Sequence, residues 1–160
     1  MKRRAANGVG CMISASLITF AFYAEYGLGL DPCPLCVFQR MIMIAIGLVF
    51  LLSFLHHSAA LGRYIYGGVL GILGLSGVAV SGRHVWLQYL PADQVPECGP
   101  GLTYLFDVFP LMEALGLVFT GSGECAAVSW SFTGLSMPTW VLIWFFVLML
   151  LGVVNNFRKT

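Results

Sequence analysis

The chain of 160 residues is 59% hydrophobic and only 9% charged, which excludes an ordinary soluble domain, since such domains carry about 25% charged residues. Its formal net charge is +1, and no basic stretch is interleaved with aromatic residues, so nucleic-acid binding is not indicated. The composition instead indicates an integral membrane protein that lies in a lipid bilayer.

The first apolar run extends over about 9–26 and follows a basic start at residues 2–4. A basic start before a short apolar run is also typical of a cleaved secretory signal. The bulky side chains of Phe22 and Tyr23 lie at the only plausible cleavage position, so we expect the run to remain as a membrane span. Cys11 lies inside this run and is expected to be a small buried hydrophobe.

A Cys33-Pro34-Leu35-Cys36 motif lies in the predicted loop 28–36, before the second apolar run, 37–55. Two cysteines at this spacing close a small disulfide ring that is strained and readily reduced, which favours redox chemistry at the membrane surface. Arg40 follows Cys36 by four residues, about one helical turn, so we expect its guanidinium on the same face as the Cys36 sulfur. An arginine near a helix end is ordinarily a snorkelling anchor, but a permanent cation beside a thiol also favours the thiolate.

The third apolar run, 64–85, is rich in glycine and ends near Arg83 and His84. Its Gly67-x-x-x-Gly71 spacing gives a smooth helix face that another helix can approach closely. We expect that partner to be a helix of the same chain rather than a second copy.

A long, mixed segment over 90–137 separates the third run from the last one, 138–154, and it contains Cys98 and Cys125. Within it, residues 110–117 begin with a proline and read as a short helix. This helix is too short to span a bilayer but apolar enough to lie on its surface.

Charge placement predicts the orientation of the four spans. Basic residues flank the runs on one side, whereas the segments 28–36 and 90–137 contain no lysine or arginine. The positive-inside rule then places both termini in the cytoplasm. The predicted fold is an all-α membrane protein, one domain over 1–160, in which a four-transmembrane-helix bundle carries two periplasmic loops and the second loop carries the short interfacial helix.

Four cysteines then face an oxidising compartment: Cys33, Cys36, Cys98 and Cys125. A zinc site is disfavoured by the spacing of the second pair and by the compartment, so we predict no metal. Two structural disulfides are an alternative, although a C-x-x-C ring is a poor staple. The third interpretation is a thiol–disulfide relay. The four cysteines permit three pairings, and the sequence does not choose among them.

The sequence resembles the DsbB family of bacterial inner-membrane disulfide bond formation proteins over nearly its whole length. The resemblance rests on these residues: Cys33-Pro34-Leu35-Cys36-x-x-x-Arg40, Gly82-Arg83-His84-Val85-x-x-Gln88, Cys98, Gly123-Glu124-Cys125, Trp130, Gly134-Leu135-Ser136-Met137 and Trp140. It implies a thiol:quinone oxidoreductase with catalytic cysteines at Cys33, Cys36, Cys98 and Cys125.

By the same resemblance, a reduced DsbA-like thioredoxin-fold oxidase of the periplasm would attack a Cys98–Cys125 disulfide at Cys98. Cys125 would then attack Cys33, and the freed Cys36 would pass electrons to a quinone, either ubiquinone or menaquinone. Arg40 and His84 would contact this cofactor, and Arg83 departs from the family pattern. The alternatives are a vitamin K epoxide reductase-like enzyme, which usually keeps its C-x-x-C on a later helix, and a non-catalytic scaffold with structural disulfides.

Overall fold

The computed structural model describes residues 3–56, 60–91, 93–94, 110, 116, 123–128 and 130–158. Cys98 and nearly all of the predicted interfacial helix over 110–117 lie outside the described residues. The elements of the described part, in chain order, are α1 (Arg3–Tyr26), α2 (Pro34–Leu55), α3 (Ala60–Gln88), a short α4 (Gly123–Ala126), β1 (Ser131–Phe132), β2 (Leu135–Ser136) and α5 (Met137–Phe157).

Four of the described helices, α1, α2, α3 and α5, are long and apolar enough to cross a membrane. They pack in a ring in which α1 contacts α2, α2 contacts α3, α3 contacts α5, and α5 closes back on α1. The predicted four-helix membrane bundle is therefore confirmed. Each helix is longer than its predicted span, because an apolar run marks the part that suits hydrocarbon and not the point where helical hydrogen bonding stops.

The C-x-x-C motif forms the N-terminus of α2. The sequence analysis had placed the whole motif in the preceding loop, which is wrong. Cys33 is the N-cap, with extended backbone angles of φ −68° and ψ 163°, and its sulfur accepts a hydrogen bond from the Cys36 N–H. Pro34 then occupies the first helical turn, where its fixed φ suits the helix and its missing N–H costs nothing. Cys36 is thereby held on the first turn of a rigid helix.

The glycine face of α3 packs against α5. A Cβ atom on Gly74 would lie 2.5 Å from Cβ of Met149, and one on Gly67 would lie 2.7 Å from the ring of Phe157. Real Cβ atoms are not found that close, so only glycine permits this helix separation. The prediction that the face packs within the chain is confirmed.

A polar cluster ties three helices together at the end of the bundle that is remote from the cysteine motif. Asn7 of α1 donates to the hydroxyl of Ser53 of α2 at 2.6 Å. Its side-chain oxygen accepts hydrogen bonds from Asn155 and Asn156 of α5, at 3.0 and 3.3 Å. Interhelical hydrogen bonds of this kind fix neighbouring helices where both are apolar, so the cluster sets the mutual register of α1, α2 and α5.

Candidate active site

The start of α2 brings together the two sulfurs of the C-x-x-C motif. The Cys33 and Cys36 sulfurs lie 3.1 Å apart and are not joined by a disulfide. Cys33 is buried, with 7% of its surface exposed, and Cys36 is partly buried. Cys33 is therefore shielded from bulk water, whereas part of Cys36 stays accessible.

The short helix α4 places Cys125 against this motif. Cys125 is fully buried and shares a small apolar cluster with Cys33, Leu35 and Leu87. The sulfurs of Cys33 and Cys125 and a ring nitrogen of His84 all lie within 4.8 Å of one another. Cysteines that are 92 positions apart in the chain are thus close enough for thiol–disulfide exchange after a small movement.

His84 of α3 is the third member of this cluster. Its Nε2 lies 3.7 Å from the Cys33 sulfur, and its Nδ1 lies 3.2 Å from Nε2 of Gln39. Both side chains are nearly inaccessible, with exposed fractions of 3% for His84 and 4% for Gln39. The imidazole is therefore held rigidly beside the reactive sulfurs.

A cavity of about 300 Å³ opens on the other side of the motif, between α1, α2 and α5. Its walls are mostly apolar and aromatic, and its polar groups include Cys36, Arg40, Gln39 and Asp31. The aromatic residues of the wall are Phe20, Trp130, Phe132, Trp140 and Trp144. Such a cavity suits a flat, apolar ring with a few polar atoms.

A tight hairpin holds the aromatic wall in place. Strands β1 and β2 pair antiparallel, and the residues of the turn, Thr133 and Gly134, have φ values of 54° and 81°. Positive φ at both positions is the type I′ geometry that matches the twist of a two-residue hairpin. The hairpin stacks Phe132 on Trp130, with ring centroids 6.0 Å apart, and the indole N–H of Trp140 donates to the Phe132 carbonyl.

Arg40 lines the cavity and forms an ion pair with Glu25, which the sequence analysis did not predict. Its guanidinium pairs with the carboxylate of Glu25 at the end of α1, donates to the carbonyl of Ala21 at 3.0 Å, and lies over the ring of Phe22. Both charged side chains are about four-fifths buried, at 17% and 21% exposure. A carboxylate near the end of an otherwise apolar span was the available signal, since such residues generally have a partner.

A sequence model of the family described as "Disulfide bond formation protein DsbB" matches residues 3–155. The chain belongs to the DsbB family. Similar proteins named "Disulfide bond formation protein B" come from several bacteria. The protein of Saccharophagus degradans is 50% identical over 150 residues, covering 94% of this chain and 89% of its own length. That of Acinetobacter baumannii is 49% identical over 153 residues, covering 93% and 89%. That of Marinobacter nauticus is 44% identical over 159 residues, covering 99% and 95%.

Membership of the DsbB family and the four spanning helices together describe a multi-pass membrane protein of disulfide bond formation. Within this framework, the structure brings Cys33, Cys36 and Cys125 into one cluster and places Arg40 in the same cavity wall as Cys36. Cys98 lies outside the described residues.

The prediction that His84 contacts a cofactor stays a prediction. His84 is not among the described residues that line the cavity, and its contacts are with the cysteine cluster and Gln39. Gln39 connects the cavity with His84, because its side chain lines the cavity and also hydrogen-bonds to the His84 ring. The sequence offered no signal for this pairing beyond an amide near the start of an apolar helix.

The pKa of Cys33 is raised above its ordinary value. The largest cause is hydrogen bonding with the Cys125 side chain, followed by hydrogen bonding with Cys36 and by burial. Cys33 is therefore held as a neutral thiol when reduced, and its departure as a thiolate needs a compensating donor.

Thiolate and imidazole are also the ligands that zinc prefers, so the expectation of no metal remains a prediction.

Proposed function

We propose that the protein is a thiol:quinone oxidoreductase of the bacterial inner membrane that reoxidises a periplasmic DsbA-like thioredoxin-fold oxidase and passes the electrons to a membrane quinone. One observation carries the proposal. The two sulfurs of a single C-x-x-C motif face different neighbours: Cys36 lines the apolar cavity, while Cys33 lies against Cys125 and His84. An electron carrier between a protein thiol and a lipid-soluble acceptor needs this division.

The residues of the cavity fit a quinone. The aromatic wall would pack against a flat ring, and Arg40 would supply a fixed positive charge at one end. A quinone bound there supplies two-electron acceptor chemistry. A cavity between α1, α2 and α5 also suits an isoprenoid tail, because these helices are apolar along their lengths. Both ubiquinone and menaquinone have this chemistry, and nothing in the cavity separates them.

Arg40 acts on charge beside Cys36. When the Cys33–Cys36 disulfide opens, the electron pair goes to the Cys36 sulfur, and a nearby guanidinium stabilises that thiolate. The effect is larger in a partly buried site than in water, because the surroundings screen less. Glu25 holds the guanidinium in place and also neutralises part of its charge.

The electrons pass from the partner through two disulfides of this chain. A thiolate of the reduced partner attacks Cys98 of a Cys98–Cys125 disulfide, and Cys125 leaves as a thiolate. Cys125 then attacks Cys33, so that a Cys33–Cys125 bond forms, the Cys33–Cys36 bond breaks and Cys36 takes the electron pair. The second partner thiol releases the oxidised partner from Cys98. The contact of Cys125 with Cys33 supports the second step.

The orientation follows from charge. With both termini in the cytoplasm, the end of the bundle that carries Cys33 and Cys125 faces the periplasm, where disulfides persist. A DsbA-like partner would approach from that side, and the quinone would enter from the bilayer.

Quinone-dependent oxidation of a reduced DsbA-like protein by the purified, bilayer-reconstituted chain tests this proposal. We expect turnover by the parent chain and its loss on serine substitution of Cys33, Cys36, Cys98 or Cys125. Cys11→Ser is the matched control, since Cys11 packs in the middle of the bundle, and it should retain activity. Turnover without added quinone, or full activity of Cys36→Ser, would refute the proposal.

A further inference from the structure

The contacts of His84 favour one of its two neutral tautomers. The Gln39 nitrogen that faces Nδ1 at 3.2 Å is an amide nitrogen, which can only donate a hydrogen bond. With the amide in this orientation, Nδ1 accepts and the neutral imidazole carries its proton on Nε2. That Nε2–H is the group 3.7 Å from the Cys33 sulfur.

The ring is also held on its other side. His84 hydrogen-bonds to the backbone of Cys125, so the imidazole is fixed between the two cysteines that form the bond between the loops. With both His84 and Gln39 buried, water does not compete for these contacts. The Nε2–H is thus held between the Cys125 backbone and the Cys33 sulfur, within reach of sulfur when charge develops there.

The proposed function requires a step in which charge develops on Cys33. After Cys125 has attacked Cys33, the chain holds a Cys33–Cys125 disulfide, and the starting bonds must be restored. The Cys98 thiolate attacks the Cys125 sulfur, the Cys98–Cys125 bond forms, the Cys125–Cys33 bond breaks and the electron pair goes to Cys33. The Cys33 thiolate then reforms its bond with Cys36 as two electrons leave to the quinone.

Departure of Cys33 as a thiolate is unfavourable unless a hydrogen-bond donor stabilises the charge on its sulfur. Cys33 is buried, and its surroundings raise the pKa of its thiol, so a bare thiolate there is disfavoured. Arg40 lies across α2 in the cavity wall, paired with Glu25, and therefore serves the Cys36 side of the motif. Among the described residues, His84 is the ring donor that faces the Cys33 sulfur.

We propose that the Nε2–H of His84 donates a hydrogen bond to the Cys33 sulfur as Cys33 leaves Cys125, and that Gln39 is a positioning residue that keeps the imidazole proton on Nε2. His84 thus serves the reopening of the bond between the loops, which rests on the proposed function but differs from the cofactor contact that the resemblance implied. Gln39 acts only through His84.

The test follows the lifetime of the Cys33–Cys125 disulfide in one turnover. The reconstituted, quinone-loaded full chain is mixed with a reduced DsbA-like protein, quenched with acid, alkylated and mapped by mass spectrometry. His84→Leu should prolong this lifetime by about ten- to a hundredfold, the range for a hydrogen bond to a charged group. The rate at which the bond forms should not change.

Two further variants separate chemistry from packing. His84→Gln places an amide N–H near the original Nε2 and should restore the lifetime to within about threefold of the parent. Gln39→Leu keeps the imidazole but removes the amide that holds it in one tautomer. We therefore expect it to prolong the lifetime of the disulfide less than His84→Leu does. His56→Leu is the matched control, because His56 is exposed at the other end of the bundle, and it should leave the lifetime unchanged.

Three outcomes would overturn the inference: an unchanged lifetime in His84→Leu, equal lifetimes in His84→Leu and His84→Gln, or a slowing confined to quinone reduction by Cys36. If His84→Leu does not assemble, the disulfide lifetimes of the other two variants decide: the inference predicts a near-parental lifetime in His84→Gln and a longer one in Gln39→Leu, and equal lifetimes would overturn it. Failure of the proposed function itself is distinct, because the parent chain would then oxidise no partner with quinone.

Discussion

Arg40 shows how one side chain can serve both stability and chemistry. A lone guanidinium in a membrane helix is costly, and the Glu25 carboxylate and the Ala21 carbonyl offset that cost. The same contacts hold the cation in the wall that Cys36 shares. Glu25 is therefore part of the arrangement that sets how much positive charge the cavity presents.

Replacement of Arg40 by glutamine should impair quinone use more than partner binding. The variant keeps a polar side chain but removes the charge that stabilises the Cys36 thiolate, so we expect turnover to fall on the order of 100-fold. Steady-state rates at varied quinone and varied partner concentrations measure this. Arg158→Gln, at an exposed position beyond α5, is the control. An Arg40→Gln rate within twofold of the parent would contradict the assignment.

Removal of Cys125 should lower the pKa of Cys33. Hydrogen bonding with Cys125 is the largest cause of its raised pKa, so in Cys125→Ala the thiolate should form at lower pH. The pH midpoint of Cys33 alkylation in the reduced chain, read by fragment-ion mapping, should therefore move downward. The pH midpoint reports the ionisation of the thiol. A change in how easily the alkylating reagent reaches Cys33 alters only the plateau rate. Cys11→Ala should leave it in place, and an upward or absent shift in Cys125→Ala would argue against the contact.

The helices α3 and α5 approach each other closely along the glycine face of α3. Lipid chains are as apolar as leucine, so close van der Waals packing, and not exclusion of water, holds membrane helices together. Gly67, Gly71, Gly74 and Gly77 supply that close approach. The same register positions His84 farther along α3, so the glycine face indirectly aligns the active site.

Leucine at Gly74 should separate these helices. Its Cβ would overlap Met149, and overpacking of this kind costs about 1–3 kcal/mol. The thermal unfolding midpoint of the detergent-solubilised chain should fall relative to the parent. Gly68→Leu is the matched control, since nothing lies within 4 Å of a Cβ there, and it should unfold like the parent. Equal midpoints for the two variants would refute the packing argument.

Cysteines introduced at the two ends of the bundle test its orientation in the membrane. In a chain without its native cysteines, a cysteine introduced at exposed Val128 should react with a membrane-impermeant thiol reagent added to intact spheroplasts. One introduced at exposed Leu61 should react only after permeabilisation. The reverse pattern would place the cysteine cluster in the cytoplasm, where a reducing environment opposes the proposed relay.

The sequence predicted what depends on local pattern and composition. The four spans, the glycine face and the shared side of Cys36 and Arg40 follow from hydropathy and helical spacing. The partner of Arg40 and the position of His84 depend on how α1 and α3 rotate against α2, which local pattern does not encode. The true start of α2 required the cap geometry of Cys33.

The division of labour within the C-x-x-C motif is the central claim, and single-turnover trapping with one cysteine of the motif removed tests it most directly. In Cys36→Ala the free Cys33 thiolate should attack Cys125 of the Cys98–Cys125 disulfide, so that a Cys33–Cys125 bond forms and Cys98 leaves as a thiolate, and bound quinone should stay spectrally unchanged. Cys33→Ala should still perturb the quinone absorbance through Cys36 but should form no bond to Cys125. The opposite assignment, with Cys36 bonding to Cys125 or Cys33 acting on the quinone, would contradict the account.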